Sequence, residues 1–155
     1  MKRYFYITIH FSPEYEGTVL ARLKDDLYIN TETGETYRKR ALYDFGWGKE
    51  NGFYKAPLPD FDTLLELVLH SEDRDDMYGA AAIILEKYAD ELLYRCEAMM
   101  NDPLRKKEFR RSAEVFRLEE PLNRCSVDQK TSEKIKSNHT RWKKIAQAAG
   151  KNTLN

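Results

Sequence analysis

Apolar residues near the amino end of the chain follow the period of extended backbone. Between Arg3 and Phe11 aromatic and branched residues occupy both faces, which predicts a central β-strand. Thr18–Leu23 predicts a second strand. In Leu27–Tyr37, β-favouring residues flank a polar Thr-Glu-Thr-Gly loop, and Gly34 can adopt the positive φ that a tight turn requires. This segment predicts a β-hairpin.

A glycine-rich segment and a proline pair follow the hairpin. Asp44–Phe53 contains three glycines and Pro57-Leu58-Pro59 comes next, so we predict a loop and then a linker. The glycine spacing does not match a nucleotide-binding loop. Trp47 lies between two glycines, where it is either an exposed anchor for a partner or a ring that folds back onto the sheet.

From Asp60 onward the apolar period becomes that of a helix. Phe61–Leu69 carries an amphipathic stripe that Asp60 can cap, and Met77–Tyr88 carries a second stripe. A break near Ala89-Asp90 precedes the stripe that ends at Met100. These patterns predict helices that pack through one apolar face each.

Two more helices follow in the sequence. Pro103 suits the first turn of one, which carries Phe109 and Phe116 on its apolar face. The last is predicted from about Lys130 to Ala149 and ends at Gly150.

These elements define an α+β fold, with N-terminal antiparallel strands packed against a C-terminal bundle or stack of four to five helices. We expect a single domain over residues 1–155, with a strand-rich part at 1–56, a helical part at 57–150 and a frayed tail at 151–155.

The charge distribution changes the choice of partner. The 155 residues are 41% hydrophobic and 34% charged, with a net charge of zero. Residues 56–100 contain 3 Lys/Arg and 11 Asp/Glu, whereas residues 121–155 contain 8 Lys/Arg and 2 Asp/Glu. The chain therefore has an acidic middle and a basic end, each of which fits a partner of opposite charge.

The compartment is inferred from the ends and the cysteines. The start of the chain lacks a signal-peptide pattern, and no run is long and apolar enough to span a membrane. Cys96 and Cys125 are the only cysteines, and Cys96 fits a buried helical position. We expect a cytoplasmic bacterial protein with free thiols and no membrane contact.

No familiar catalytic or metal-binding pattern is present in the sequence. His10, His70 and His139 lack neighbours at ligand spacing, and His139 on an apolar stripe is typical of a packed histidine. We expect no metal, no cofactor and no catalytic residues, which favours a protein that is not an enzyme. An enzyme with an unfamiliar site is the third hypothesis.

The acidic run before the second helical stripe carries the leading hypothesis. Dipole and capping interactions account for part of Glu72, Asp73, Asp75 and Asp76, and the remaining charge is interpreted as a contact surface. With Trp47, this surface predicts a protein-binding module, of immunity or regulatory type, for a basic protein partner such as a toxin.

The basic end carries the alternative hypothesis. Lys136, Arg141, Lys143 and Lys144 share a helix with Trp142, which predicts nucleic-acid binding with strong salt dependence. A solvated helix face is the simpler interpretation of the same pattern.

The stretch Asp75–Tyr88 resembles a helix of HEAT-like type, with a capped start, a small-residue patch and an aliphatic run. Small bacterial HEAT-like proteins of toxin-immunity type are similar to residues 60–100. The resemblance implies a non-enzymatic protein that binds a toxin through an acidic surface. The chain shows no clean repeat at a fixed period.

Overall fold

The computed structural model describes residues 3–7, 20–44, 49–119 and 132–153, and these residues confirm the α+β fold. The strands are β1 (Phe5–Ile7), β2 (Leu20–Lys24), β3 (Leu27–Asn30), β4 (Thr36–Asp44) and β5 (Lys49–Lys55). The helices are α1 (Phe61–His70), α2 (Arg74–Lys87), α3 (Ala89–Met100), α4 (Lys106–Phe116) and α5 (Ser132–Thr153), with a 3-10 turn at Pro103–Arg105.

The strands form one antiparallel sheet in the order β1-β5-β4-β3-β2. Strands β2 to β5 follow the chain as a meander, and β1 adds to the free edge of β5, so the prediction that the first strand is central is wrong. The predicted hairpin is confirmed as β3 and β4, with Gly34 at φ 76°. Asn30 organises the turn, because its side-chain oxygen accepts hydrogen bonds from the backbone of Glu32 and Thr33.

One face of the sheet has a core of large side chains. Tyr6, Leu20, Tyr37 and Phe53 are buried together, and Tyr28 packs against them. The Tyr6 and Tyr37 rings meet edge to face with centroids 5.3 Å apart. Aromatic residues that the sequence places on strands therefore supply most of this core.

The predicted loop at Asp44–Phe53 is wrong in its second half, where β5 forms. Residues 45–48, including Trp47, lie outside the described part of the chain. Gly52 has a packing role in the strand, because an added Cβ would meet the Tyr6 carbonyl oxygen and lie 2.6 Å from Leu42 Cδ1. The glycines that suggested a loop include one that permits close packing.

The chain divides into two compact units, Met1–Ala82 and Ile83–Asn155, with the division inside α2. In the first unit, Asp60 caps α1 by accepting a hydrogen bond of 2.9 Å from the Thr63 backbone, as predicted. Gly79 of α2 packs directly on the Phe5 side chain, where an added Cβ would lie 2.6 Å from Phe5 Cβ. A small residue on α2 thus lets the helix approach β1.

In the second unit, α3, α4 and α5 contact one another in a three-helix arrangement. Its core residues are buried and mostly aliphatic or aromatic, and include Leu92, Leu93, Cys96, Phe109, Phe116, Trp142 and Ile145. The predicted break before α3 is confirmed at Tyr88, whose φ of −130° and ψ of 34° are not helical. Gly150 does not end the last helix, which continues to Thr153.

None of the described helices has the length and apolar character needed to cross a bilayer.

Candidate functional site

The predicted acidic cluster lies at the start of α2, in the first unit. Asp73 precedes the helix, and its Oδ1 accepts a hydrogen bond of 3.0 Å from the Asp76 backbone. Its Oδ2 accepts two hydrogen bonds from Arg3, at 2.9 Å from Nε and 2.6 Å from Nη2. Asp73 therefore caps α2 and binds the residue that leads into β1.

Asp75 and Asp76 bind the outer edge of β1. Asp76 Oδ1 accepts hydrogen bonds from the backbone nitrogens of Tyr4 at 2.9 Å and Phe5 at 2.8 Å, and Asp75 Oδ2 accepts one from Ile7 at 3.1 Å. β1 pairs with β5 on its other side. The two carboxylates thus take the place of a neighbouring strand, and each aspartate is only 4% exposed.

The electrostatic state of Asp76 reflects this burial. Desolvation raises the pKa of Asp76 to about 6, and the nearby charge of Asp73 acts in the same direction. The hydrogen bonds from Phe5 and Tyr4 and the charge of Arg3 lower the pKa and offset part of that rise. The Asp76 carboxyl group is therefore buried, but it accepts hydrogen bonds from two backbone N–H groups.

These contacts correct one premise of the sequence analysis. Asp73, Asp75 and Asp76 all have contacts within the fold, whereas the sequence suggested that folding uses only part of the cluster. Among the described residues of the predicted acidic surface, Glu72 is the exposed one, whereas Asp73 is partly buried and Asp75 and Asp76 are buried. Other exposed carboxylates in this unit include Asp62 and Glu66 on the outward side of α1.

The predicted basic residues of α5 separate into two groups. Lys136, Lys143 and Lys144 are exposed on the outward face of the helix. Arg141 instead forms a two-point hydrogen-bonded ion pair with Glu97 of α3, with Nε 3.0 Å from Oε2. Its guanidinium also lies 4.9 Å from the centroid of the Tyr94 ring. Arg141 therefore joins α5 to α3. The hydrogen bond to Glu97 also raises the pKa of Arg141.

The outward face of α5 also contains polar residues that the sequence analysis did not single out. Its exposed positions are Glu133, Lys136, Ser137, Thr140, Lys143, Lys144 and Gln147. Helical spacing alone could have shown that Ser137 and Thr140 share a face with the lysines.

Other candidate chemistry is sparse in the described residues. Within them, no group of three or more His, Cys, Asp or Glu side chains could hold a metal ion. Cys96 is buried as a free thiol, and desolvation raises its pKa well above the usual value. His70 lies 3.9 Å from Glu66 on the surface of α1, and His10 lies outside the described residues.

A cavity of about 240 Å³ lies at the corner between α3 and α4. Met99, Met100, Pro103 and Phe109 supply its apolar lining, and Asn101, Asp102 and Lys106 supply polar and charged groups. This corner was not predicted from the sequence, although the Asp102-Pro103 pair signals a tight turn there.

No protein-family model, no curated protein and no solved structure matches the chain.

Proposed function

We propose that the chain is a non-enzymatic binding protein whose second unit contacts the phosphate backbone of a nucleic acid through the outward face of α5. The observation that carries the proposal is the composition of that face. Between residues 133 and 150 its seven exposed positions comprise three lysines, three neutral hydrogen-bonding residues and one carboxylate, Glu133. Lysine, serine, threonine and glutamine are residue types that contact phosphate and sugar.

The lysines are arranged to act together. Lys136, Lys143 and Lys144 are separated by seven and one residues, which places them within about 100° of one another around the helix. The axial distance from Lys136 to Lys143 is about 10 Å at the rise of an α-helix. The described residues give none of the three an ion-pair partner, whereas Lys134 on the same helix pairs with Asp90 at 3.2 Å.

The charge of the whole second unit supports the same choice. Residues 83–155 carry 16 Lys/Arg and 11 Asp/Glu, a net charge of +5, and residues 1–82 carry the opposite net charge. A positive field around one unit attracts polyanions and speeds their encounter with it. If the lysines of α5 were only solvated, the affinity of the protein for nucleic acid would not depend on them.

The test is fluorescence anisotropy with short labelled duplex DNA, duplex RNA and single-stranded RNA. If three phosphates are contacted, affinity for the duplex DNA falls about 40-fold between about 50 and about 200 mM salt. The triple variant K136Q/K143Q/K144Q is expected to lose that salt dependence together with most of the affinity.

A matched control removes the same charge elsewhere. Lys24, Lys87 and Lys107 are exposed and lie off this face. The variant K24Q/K87Q/K107Q should therefore retain at least half of the salt-dependent change in DNA affinity that the wild type shows. Absence of binding at low salt, or equal losses in the two triple variants, would contradict the proposal.

A second candidate function is supported by the exposed carboxylates of the first unit. Asp62, Glu66 and Glu72 are exposed, and residues 1–82 have a net charge of −5. This surface suits a basic protein partner, as expected for an immunity protein that binds a toxin. Relative to the sequence-based surface, it retains Glu72 and replaces the buried aspartates by residues of α1.

Calorimetry against the product of the adjacent gene distinguishes this candidate. The charge reversal D62K/E66K/E72K is expected to abolish binding, whereas E91K/E114K/E119K, at exposed sites of the second unit, should leave it intact. Equal affinity in the wild type and the first variant would remove this surface.

A further inference from the structure

Leu104 is the most exposed large apolar residue in the described chain. It lies in the 3-10 turn between α3 and α4 and is 94% exposed, compared with 53% for Leu23 and 66% for Tyr94. Full exposure of a leucine leaves its apolar surface in contact with water, which is unfavourable unless a partner covers it. Such a residue is informative when the backbone holds it in place.

The turn that presents Leu104 is braced by several hydrogen bonds. Asp102 caps it, since its Oδ1 accepts a bond of 3.0 Å from the Leu104 backbone and its carbonyl accepts one of 3.0 Å from the Arg105 backbone. Pro103 fixes the first position of the turn. Arg105 then binds Glu108 at 3.0 Å. Leu104 is therefore presented on ordered backbone, so a partner would lose little conformational entropy on contacting it.

The cavity of about 240 Å³ adjoins this turn, since Pro103 belongs to both. Met99 and Phe109 form the buried part of its lining, and Met100 contributes a flexible thioether. A protruding leucine beside a cavity with apolar walls and a polar border gives a projection and a recess on one surface. Interface hot spots have this form, in which large side chains pack into desolvated pockets.

Three exposed cations lie next to this corner, on α4. Lys106, Lys107 and Arg110 are exposed on the first turns of α4, and Lys106 also lines the cavity. The carboxylates beside them have other contacts, with Asp102 bound to the turn and Glu108 bound to Arg105. The corner therefore combines apolar side chains with exposed cations whose charge is not balanced by a carboxylate that is free of other contacts.

We infer that this corner, made of Leu104, the adjacent cavity and the cations of α4, is a docking site for an acidic protein segment that inserts an apolar side chain. Charge complementarity selects this occupant. The exposed cations disfavour a second copy of the same corner, because like charges would face each other. A cavity of about 240 Å³ is large enough to accept a side chain, and a planar lipid surface does not present one. The site is separate from the outward face of α5.

A displayed library of random peptides tests the inference with the full-length protein. Peptides are selected on the wild type and counter-selected on Leu104→Ala, and enriched sequences are synthesised for anisotropy. We expect a large apolar residue flanked by Asp or Glu, with affinity lowered about 30-fold or more by Leu104→Ala. The variant K106Q/K107Q should weaken binding about 10-fold and reduce its dependence on salt.

Leu23→Ala is the matched control, since it removes another exposed leucine and should not change peptide affinity. Far-ultraviolet circular dichroism should be the same for all variants, because the substituted side chains are exposed. The inference is overturned if no Leu104-dependent peptide emerges, or if the enriched peptides lack acidic residues. It is also overturned if Leu104-dependent binding occurs instead to vesicles of phosphatidylcholine and phosphatidylserine.

Discussion

The Oδ1 atom of Asp76 lies 2.8 Å from the backbone nitrogen of Phe5, a contact that joins the start of a helix to a strand 71 residues earlier in the chain. The same oxygen accepts the Tyr4 N–H at 2.9 Å. β1 is an edge strand among the described strands, and both donors lie in or just before it. An open edge exposes unpaired N–H groups that can pair with another chain, and the carboxylate occupies them.

Asp76→Ala should therefore destabilise the first unit more than the loss of an exposed carboxylate would. The substitution leaves two backbone N–H groups without an acceptor, one of them buried, at a cost of about 2–4 kcal/mol. Urea denaturation followed by circular dichroism measures the change. Glu72→Ala is the control, since Glu72 is exposed and its loss should change the free energy of unfolding by less than about 0.5 kcal/mol. Equal effects of the two substitutions would show that the Asp76 contacts do not stabilise β1.

The raised pKa of Asp76 makes stability depend on pH in a defined direction. Its folded pKa is about 6 and the ordinary pKa of an aspartate is 3.8, so the folded state binds a proton more tightly than the unfolded state. The associated stability is fully present below pH 4 and is lost as pH rises through 6, by at most about 3 kcal/mol. Because both backbone donors bind Oδ1, a proton on Oδ2 leaves those hydrogen bonds in place.

The comparison of wild type with Asp76→Asn isolates this effect from other carboxyl groups. We expect the wild type to lose stability relative to the variant between pH 4 and 7, as measured by urea denaturation at each pH. Glu72→Gln should run parallel to the wild type over the same range. A constant difference between wild type and Asp76→Asn would show that the Asp76 pKa is not raised.

Gly79 gives a prediction about packing. An added Cβ would meet the Phe5 ring and lie 2.6 Å from Phe5 Cβ, and Phe5 is fully buried. Gly79→Ala should therefore destabilise the protein by about 1–3 kcal/mol, even though alanine is the better helix former. Gly150→Ala is a matched control in α5, where an added Cβ meets nothing within 4 Å. That substitution should stabilise by up to about 1 kcal/mol. Thermal or urea unfolding that gave the two variants the same sign would contradict this account.

The parts of the fold that depend on local pattern could be predicted from the sequence. The stripe of α1 and its Asp60 cap, the turn at Gly34 and the break at Tyr88 each depend on residues within one or two turns. β5 was not predicted because a glycine in a sequence usually indicates a loop. Gly52 is instead required within the strand, since the Tyr6 backbone in β1 leaves no room for a side chain.

The candidate sites divide in the same way. The face of α5 follows from helical spacing, so its lysines could be placed from sequence alone. The aspartates of α2 could not be assigned, because their partners lie about 70 residues away in β1. Local composition shows how much charge a segment carries but not whether a distant backbone uses it. Leu104 was missed because exposure depends on how the α3–α4 corner packs.

The contact between Arg141 and Glu97 gives a prediction for the second unit. The two side chains are less than one-third exposed and meet at two points, and Arg141 also packs on Tyr94. A double-mutant cycle with Arg141→Ala and Glu97→Ala should give a coupling energy of about 0.5–1.5 kcal/mol, above the usual value for an isolated surface pair. Arg141→Lys should lose most of that coupling, because an ammonium group cannot bind both carboxylate oxygens in the same geometry. The matched cycle uses Arg38 and Asp26, a more exposed pair joined at 3.0 Å, which should couple by less than about 0.5 kcal/mol. Equal coupling in the two cycles would show that Arg141 does not fasten α5 to α3.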